Sequence, residues 1–269
     1  MASALPFIRE AGSGSAVVCL HSNASSSSQW RGLMDTLSPR FHVLAPDCYG
    51  AGKSADWTSN QPISLDDEAD FIESILGSVT APFFLVGHSY GAAIALNVAL
   101  KEPRRVRAMA LYEPNLFSLI DADSAPPNAA DGIRQAVQAA GSALDDGDTS
   151  RAAKYFIDYW MGPQGWDNTP DSKKGPIAAS VVNVRRWAHA LFTESAELNA
   201  FRALDVPVLY MVGQSTTQSA LGVARLLTAV LPRVEVVTFE GVGHMGPVTH
   251  PELVNPAIAG FLDRHIAPD

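Results

Sequence analysis

Five residues, Gly87-His88-Ser89-Tyr90-Gly91, lie between the apolar run PFFLV and the alanine-rich run AAIALNVAL. This order is that of a strand, a sharp turn and a helix, with a serine at the apex. A serine thrown onto such an elbow takes a strained backbone conformation. The residues two before and two after it must then be nearly free of side chain, and Gly87 and Gly91 meet that demand. The helix behind it aims its first amide groups and its positive dipole end at the serine, so negative charge developing there is stabilised. A bare G-x-S-x-G pattern arises by chance in about one chain in eight of this length. The flanking strand and helix patterns and the partners described below are what give it meaning.

The same alternation runs through much of the chain. Short apolar runs at 16–21, 42–47, 83–88, 106–113, 206–213 and 234–241 are separated by helical patterns, as expected of buried parallel strands. FIRE at 7–10, followed by Gly12 and Gly14, suits an antiparallel edge strand turning into the first parallel one. The prediction is an α/β fold with a doubly wound, mostly parallel sheet. Between about 114 and 204 the strand rhythm stops. GIRQAVQAAGSAL, RAAKYFIDYWMG and AASVVNVRRWAHALF space their apolar residues as helices do, whereas 162–176 reads as loop from its proline and glycine content. The expected organisation is a core domain of 1–113 and 205–269 with an inserted helical cap over 114–204. Tyr155, Phe156, Tyr159 and Trp160 fall at helical spacing there, joined by Trp166 and Trp187. They suit either the packing of the cap or aromatic walls over a substrate cavity. On the second reading Tyr159, Trp160 and Trp187 are the substrate-binding candidates for an apolar or aromatic ligand.

A serine nucleophile needs a base. Of seven histidines, His244 sits in the glycine-rich loop Gly241-Val242-Gly243-His244-Met245-Gly246 after the last strand pattern. Ligands on a doubly wound sheet meet the carboxyl ends of the strands, so this loop and the elbow share an edge. His250 precedes Pro251 at a helix start, and His88 should point away from the serine. The formal net charge of -9, with no offsetting basic run, argues against nucleic acid or an anionic membrane as partner. Cys19 and Cys48 have neither metal-site spacing nor a disulfide pattern and are expected as buried free thiols. The N-terminus carries Arg9 and Glu10 where a signal sequence would be apolar, and no segment reaches membrane-spanning length. A cytoplasmic protein with a small-molecule substrate, no metal and no cofactor is expected.

Strand, elbow, helix, inserted cap and late histidine together resemble the α/β-hydrolase superfamily over nearly the whole chain. Asp47-Cys48-Tyr49-Gly50-Ala51-Gly52-Lys53-Ser54 is similar to the D-x-x-G-x-G-x-S loop of its capped members. Gly52-Lys53-Ser54 imitates the end of a phosphate-binding loop, but the first glycine of that motif falls on Asp47, which excludes it. The resemblance implies an acid. The commonest pattern places aspartate three residues after a glycine closing the penultimate strand, yet Gly213 leads to Gln214, Ser215 and Thr216. Some members carry the acid one strand earlier, which implies Glu113 in Leu111-Tyr112-Glu113-Pro114. The oxyanion donors implied are the backbone amides of Tyr90 and Asn23, and Ser28 is expected to cap the helix that follows. Ser89 argues against the epoxide hydrolases and haloalkane dehalogenases, whose route needs a carboxylate nucleophile. A carboxylic-ester or lactone hydrolase is the leading expectation. Carbon-carbon bond hydrolases and cofactor-free perhydrolases use the same residues, and a ligand receptor on this fold that has lost turnover is the remaining alternative.

Overall fold

The computed structural model describes residues 5–266. Its sheet has seven strands: β1 (Ile8–Ala11), β2 (Ser15–Leu20), β3 (Phe41–Pro46), β4 (Phe83–His88), β5 (Val106–Tyr112), β6 (Val208–Gly213) and β7 (Val234–Phe239). They lie in the order β1-β3-β2-β4-β5-β6-β7, parallel except for β1. The central strands are apolar throughout because both faces are covered, and successive residues feed different cores. Val18, Leu20, Leu85 and Leu111 join one cluster. Val17, Cys19, Val86 and Ala110 join the other.

On the second face lie α1 (Arg31–Leu37) and α12 (Pro251–Arg264). The first face carries α2 (Leu65–Leu76), α3 (Tyr90–Lys101) and α10 (Gln218–Val230). Between β5 and β6 come α4 (Phe117–Asp123), α5 (Asp131–Asp145), α6 (Thr149–Met161), α7 (Asp171–Val181), α8 (Val184–Phe192) and α9 (Leu198–Arg202). The single turn α11 (Gly246–Thr249) precedes α12. Ser64 and Asp67 form a capping box at the start of α2, and Asp66 adds a second carboxylate to its first turn. The helix α3 is buried from Tyr90 to Ala99, which its run of small alanines permits.

Four local expectations are corrected. First, β1 pairs with β3, four residues in antiparallel register, and not with β2. Gly12 (φ +79°) passes so close to the carbonyls of Ser38 and Phe41 that a Cβ would overlap both, and this crossing carries the chain to the far side of β3. Second, α7 begins at Asp171, inside the expected loop, and accommodates Gly175 and Pro176. Pro176 lies in the second turn of α7, so the helix must accept a residue that has no amide hydrogen to donate. Third, AASVVNVRRWAHALF is broken between Val181 and Val184 into α7 and α8. Fourth, Ser28 does not cap α1: it lies in a 3-10 turn, Ser27–Trp30, that leads into α1 and is capped by Ser26, which accepts from the Ser28 amide. The apolar core under the inserted helices is continuous with that of the first sheet face, since Phe156, Trp187 and Leu191 belong to the same cluster as Leu96 and Leu111. No described helix is long and apolar enough to cross a membrane.

One buried acid stands apart from these cores. Glu68 of α2 is fully enclosed and accepts from the Tyr49 amide and the Tyr90 hydroxyl, both at 3.2 Å. Burial pushes its carboxyl up to about 8 despite those donors. The folded form therefore keeps a proton that the unfolded chain releases near 4.3. Its contribution is complete below that value and is lost as the pH rises through about 8. Glu68→Gln should flatten the fall in Tm between about pH 5 and about pH 9, measured by thermal denaturation. Equal slopes in the two proteins would refute a protonated Glu68.

Candidate active site

The elbow forms as its sequence requires. Ser89 has φ 57° and ψ -113° between β4 and α3. A Cβ at Gly87 would overlap the backbone of Ala92, and one at Gly91 would overlap the carbonyls of Leu20 and His21. The Ser89 amide donates to the Tyr112 carbonyl at 2.9 Å, tying the turn to the end of β5.

His244 lies in the loop between β7 and α11, with its Nε2 2.9 Å from Ser89 Oγ and its Nδ1 2.6 Å from Glu113 Oε2. Glu113 follows β5, takes φ 45°, and is fully buried. Its Oε1 accepts from the Gly213 amide and its Oε2 from the Thr216 hydroxyl, each at 2.7 Å. Thr216, the position where the commoner pattern has a carboxylate, thus donates to the carboxylate supplied by the neighbouring strand. A Cβ at Gly213 would overlap the Val242 carbonyl, so only glycine lets β6 pass this close to the histidine loop. Tyr112 donates to the Gly243 carbonyl at 2.7 Å and fixes the same loop from below.

His88 turns away from the serine, with its Nε2 2.9 Å from the His244 carbonyl. A carbonyl only accepts, so Nε2 bears the proton and Nδ1 accepts from Gln29 Nε2 at 3.1 Å. Burial, and after it the neighbouring His244, hold this imidazole well below its usual range, in the neutral form that this bonding needs. Gln29 Oε1 in turn accepts from the amide and hydroxyl of Ser22. The histidine loop is therefore linked through the buried His88 and the half-buried Gln29 to the loop after β2.

Two contacts were not anticipated from the sequence. Asn115 Nδ2 is 2.8 Å from Ser89 Oγ, and the residue is almost fully buried. The serine has one proton, directed at His244, so the amide must be the donor. The available signal was position alone, two residues beyond Glu113 at the same strand end. Trp160 of α6 stacks on the His244 ring, with centroids 3.9 Å apart and planes at 26°.

Neither the amide of Tyr90 nor that of Asn23 donates to another described residue. Tyr90 follows the serine at the start of α3, and Asn23 lines the cavity onto which the serine opens. The Asp47 loop shapes the same wall. Its carboxylate accepts from the amides of Ser27 (2.6 Å) and Lys53 (2.8 Å), so the glycine-rich turn wraps around a side chain of the protein.

These groups open onto a cavity of about 970 Å³ bounded by Ser89, His244 and Asn115 on one side and by α4 to α8 on the other. Trp160 and Trp187 line it. Tyr159 does not, and its expected place on the wall is corrected: its hydroxyl lies 2.7 Å from Ser219 Oγ, because its position on α6 directs it to α10. Cys19 and Cys48 are buried free thiols. Among the described residues no three His, Cys, Asp or Glu side chains gather as a metal site.

Residues 15–251 match the model of the alpha/beta hydrolase fold family. A 2-(acetamidomethylene)succinate hydrolase of Mesorhizobium japonicum is 26% identical over 263 residues, 95% of this chain and 91% of the relative. A haloalkane dehalogenase of Agrobacterium fabrum is 38% identical over 122 residues, 44% of this chain and only 38% of the relative's length. A solved α/β hydrolase from a Medee basin deep-sea metagenome library superposes with a TM-score of 0.82 at 16% identity, covering 98% of this chain and 96% of that one, which speaks to the fold alone. With a match that runs from β2 into α12 and a sheet of the corresponding order, the chain belongs to the α/β hydrolase fold family.

Proposed function

We propose that this chain is a serine hydrolase that cleaves a carboxylic ester or lactone through an acyl-enzyme, with Ser89 as nucleophile, His244 as base and Glu113 as the acid of the triad. The observation that carries this reading is the unbroken relay from Ser89 Oγ to His244 (2.9 Å) and on to Glu113 (2.6 Å), opening onto a large cavity.

In the first half-reaction His244 Nε2 takes the serine proton as Oγ bonds to the ester carbonyl carbon. The carbonyl electrons move onto oxygen, where the amides of Tyr90 and Asn23 receive the negative charge. Collapse breaks the bond to the alcohol oxygen, which leaves with the proton from Nε2. Water then repeats the sequence on the acyl-enzyme and returns Oγ and its proton to Ser89. Glu113 holds the proton on Nδ1 and stabilises the imidazolium in both halves, and Thr216 and Gly213 fix the position of its carboxylate by donating to it. The Trp160 face over His244 adds a cation-π attraction to the same imidazolium. Asn115 holds Oγ so that its proton points at His244. The inserted helices act as a cap, and Phe117, Ile133, Phe156, Trp187 and Leu191 supply an apolar wall suited to an aliphatic or aromatic group.

Steady-state and burst hydrolysis of a 4-nitrophenyl ester tests the triad. Ser89→Ala should lower kcat by about 10⁴-fold or more and abolish the burst, and Glu113→Gln should cost about 10⁴-fold. Thr216→Val removes one donor to the carboxylate and should cost only about 10- to 100-fold. Full activity in Glu113→Gln would overturn the acid assignment. Trp160→Leu should reduce kcat by about 2- to 30-fold while Trp160→Phe retains most of it, the range a cation-π contact supplies. Asn115→Ala, leaving Oγ free to turn from His244, should lower kcat about tenfold with little change in KM. A change in KM alone would make Asn115 a part of the substrate wall instead.

A further inference from the structure

The cavity carries a charge pattern at odds with the rest of the molecule. The chain has 28 acidic residues in 269 and a net charge of -9, and an even distribution would put about four of them on a wall of this size. Among the described residues no Asp or Glu lines it, whereas Arg31 and Lys173 both do. Three buried acids, Glu113, Asp47 and Glu68, do not line it and are occupied within the protein. Glu113 receives Gly213, Thr216 and His244. Asp47 receives the amides of Ser27 and Lys53. Glu68 is held protonated by burial.

The two cations come from separate parts of the fold, Arg31 from the start of α1 and Lys173 from α7 of the insertion. Both are exposed, which puts them at the solvent edge of the cavity, and neither forms an ion pair with a described residue. The same cavity is also lined by hydroxyls and amides, among them those of Asn23, Ser25, Ser28 and Asn168. A developing oxyanion accounts for the exclusion of carboxylates beside Ser89. It does not account for their exclusion as far as α7.

We propose that the substrate is an ester with a carboxylate end, its apolar part against the wall of α4, α5 and α8 and its charge at the mouth between Arg31 and Lys173. This rests on Ser89 being the nucleophile of the cavity. A cleft walled by one sign of charge in low-dielectric surroundings concentrates ligands of the opposite sign and speeds their association.

Two matched pairs test it: 4-nitrophenyl hexanoate against the mono-4-nitrophenyl ester of adipic acid, with the charge on the acyl side, and phenyl hexanoate against 3-carboxyphenyl hexanoate, with the charge on the leaving group. In at least one pair kcat/KM should favour the anionic ester by about tenfold at low ionic strength. That ratio should fall towards parity in high salt and in the Arg31→Gln, Lys173→Gln double variant. Parity in both pairs, or a preference that survives the double variant, overturns the proposal. The dissociation constants of the same esters on Ser89→Ala, measured by calorimetry, give the charge preference without turnover. Wild type inert to all four esters but with that binding preference would sink the hydrolase reading and leave the anion site standing. Turnover with no charge preference in kcat/KM or in binding would do the reverse.

Discussion

The bond between Glu113 and His244 joins the end of β5 to the loop after β7 across the intervening β6, and the arrangement of the site follows from it. A carboxylate buried this deeply is costly unless its oxygens are occupied. Here three donors reach it, from the Gly213 amide, the Thr216 hydroxyl and the imidazole. Each comes from a chain segment placed by the parallel order of the strands. Gly213 must lack a side chain for β6 to approach, and Tyr112 must reach the Gly243 carbonyl for the histidine loop to stay in register. With Glu113 at the end of β5, His244 has a carboxylate at Nδ1 and the Ser89 hydroxyl at Nε2.

Strain accompanies this arrangement. Ser89 and Glu113, on adjacent strand ends, both occupy the left-handed region without being glycine. Such residues cost about 1–3 kcal/mol each, and they persist because the surrounding structure overdetermines them. For Ser89 the determinants are the close approach of Gly87 and Gly91 to neighbouring backbone and the hydrogen bond to Tyr112. For Glu113 they are its three donors and the hydrogen bond from its own amide to Met211. The two fully packed sheet faces offset the strain through the apolar surface they bury.

The inserted helices do more than cover the sheet. Their core is continuous with it, Tyr159 is bonded to Ser219 on α10, and Trp160 rests on the imidazole. Movement of α6 would therefore be felt directly at His244. The same helices supply the far wall of the cavity, so size, apolarity and charge at the site depend on elements that take no part in the sheet.

Sequence alone determined the sheet, the elbow and the histidine loop, because each rests on local physics. Apolar runs of strand length need two covered faces, a serine elbow needs Gly87 and Gly91, and a glycine-rich loop after the last strand has one place to go. It also showed that Thr216 stands where the commoner pattern has an acid, which drew attention to Glu113. Tertiary structure alone decided the rest. The crossing of β1 to β3, the direction of Tyr159, the stacking of Trp160, the donor from Asn115 and the exclusion of carboxylates from the cavity are contacts between residues far apart in the chain. Periodicity tells which face of a helix is apolar, but not which neighbour that face will meet. Only the packed fold brings Arg31 and Lys173, 142 positions apart in sequence, to the wall of one cavity.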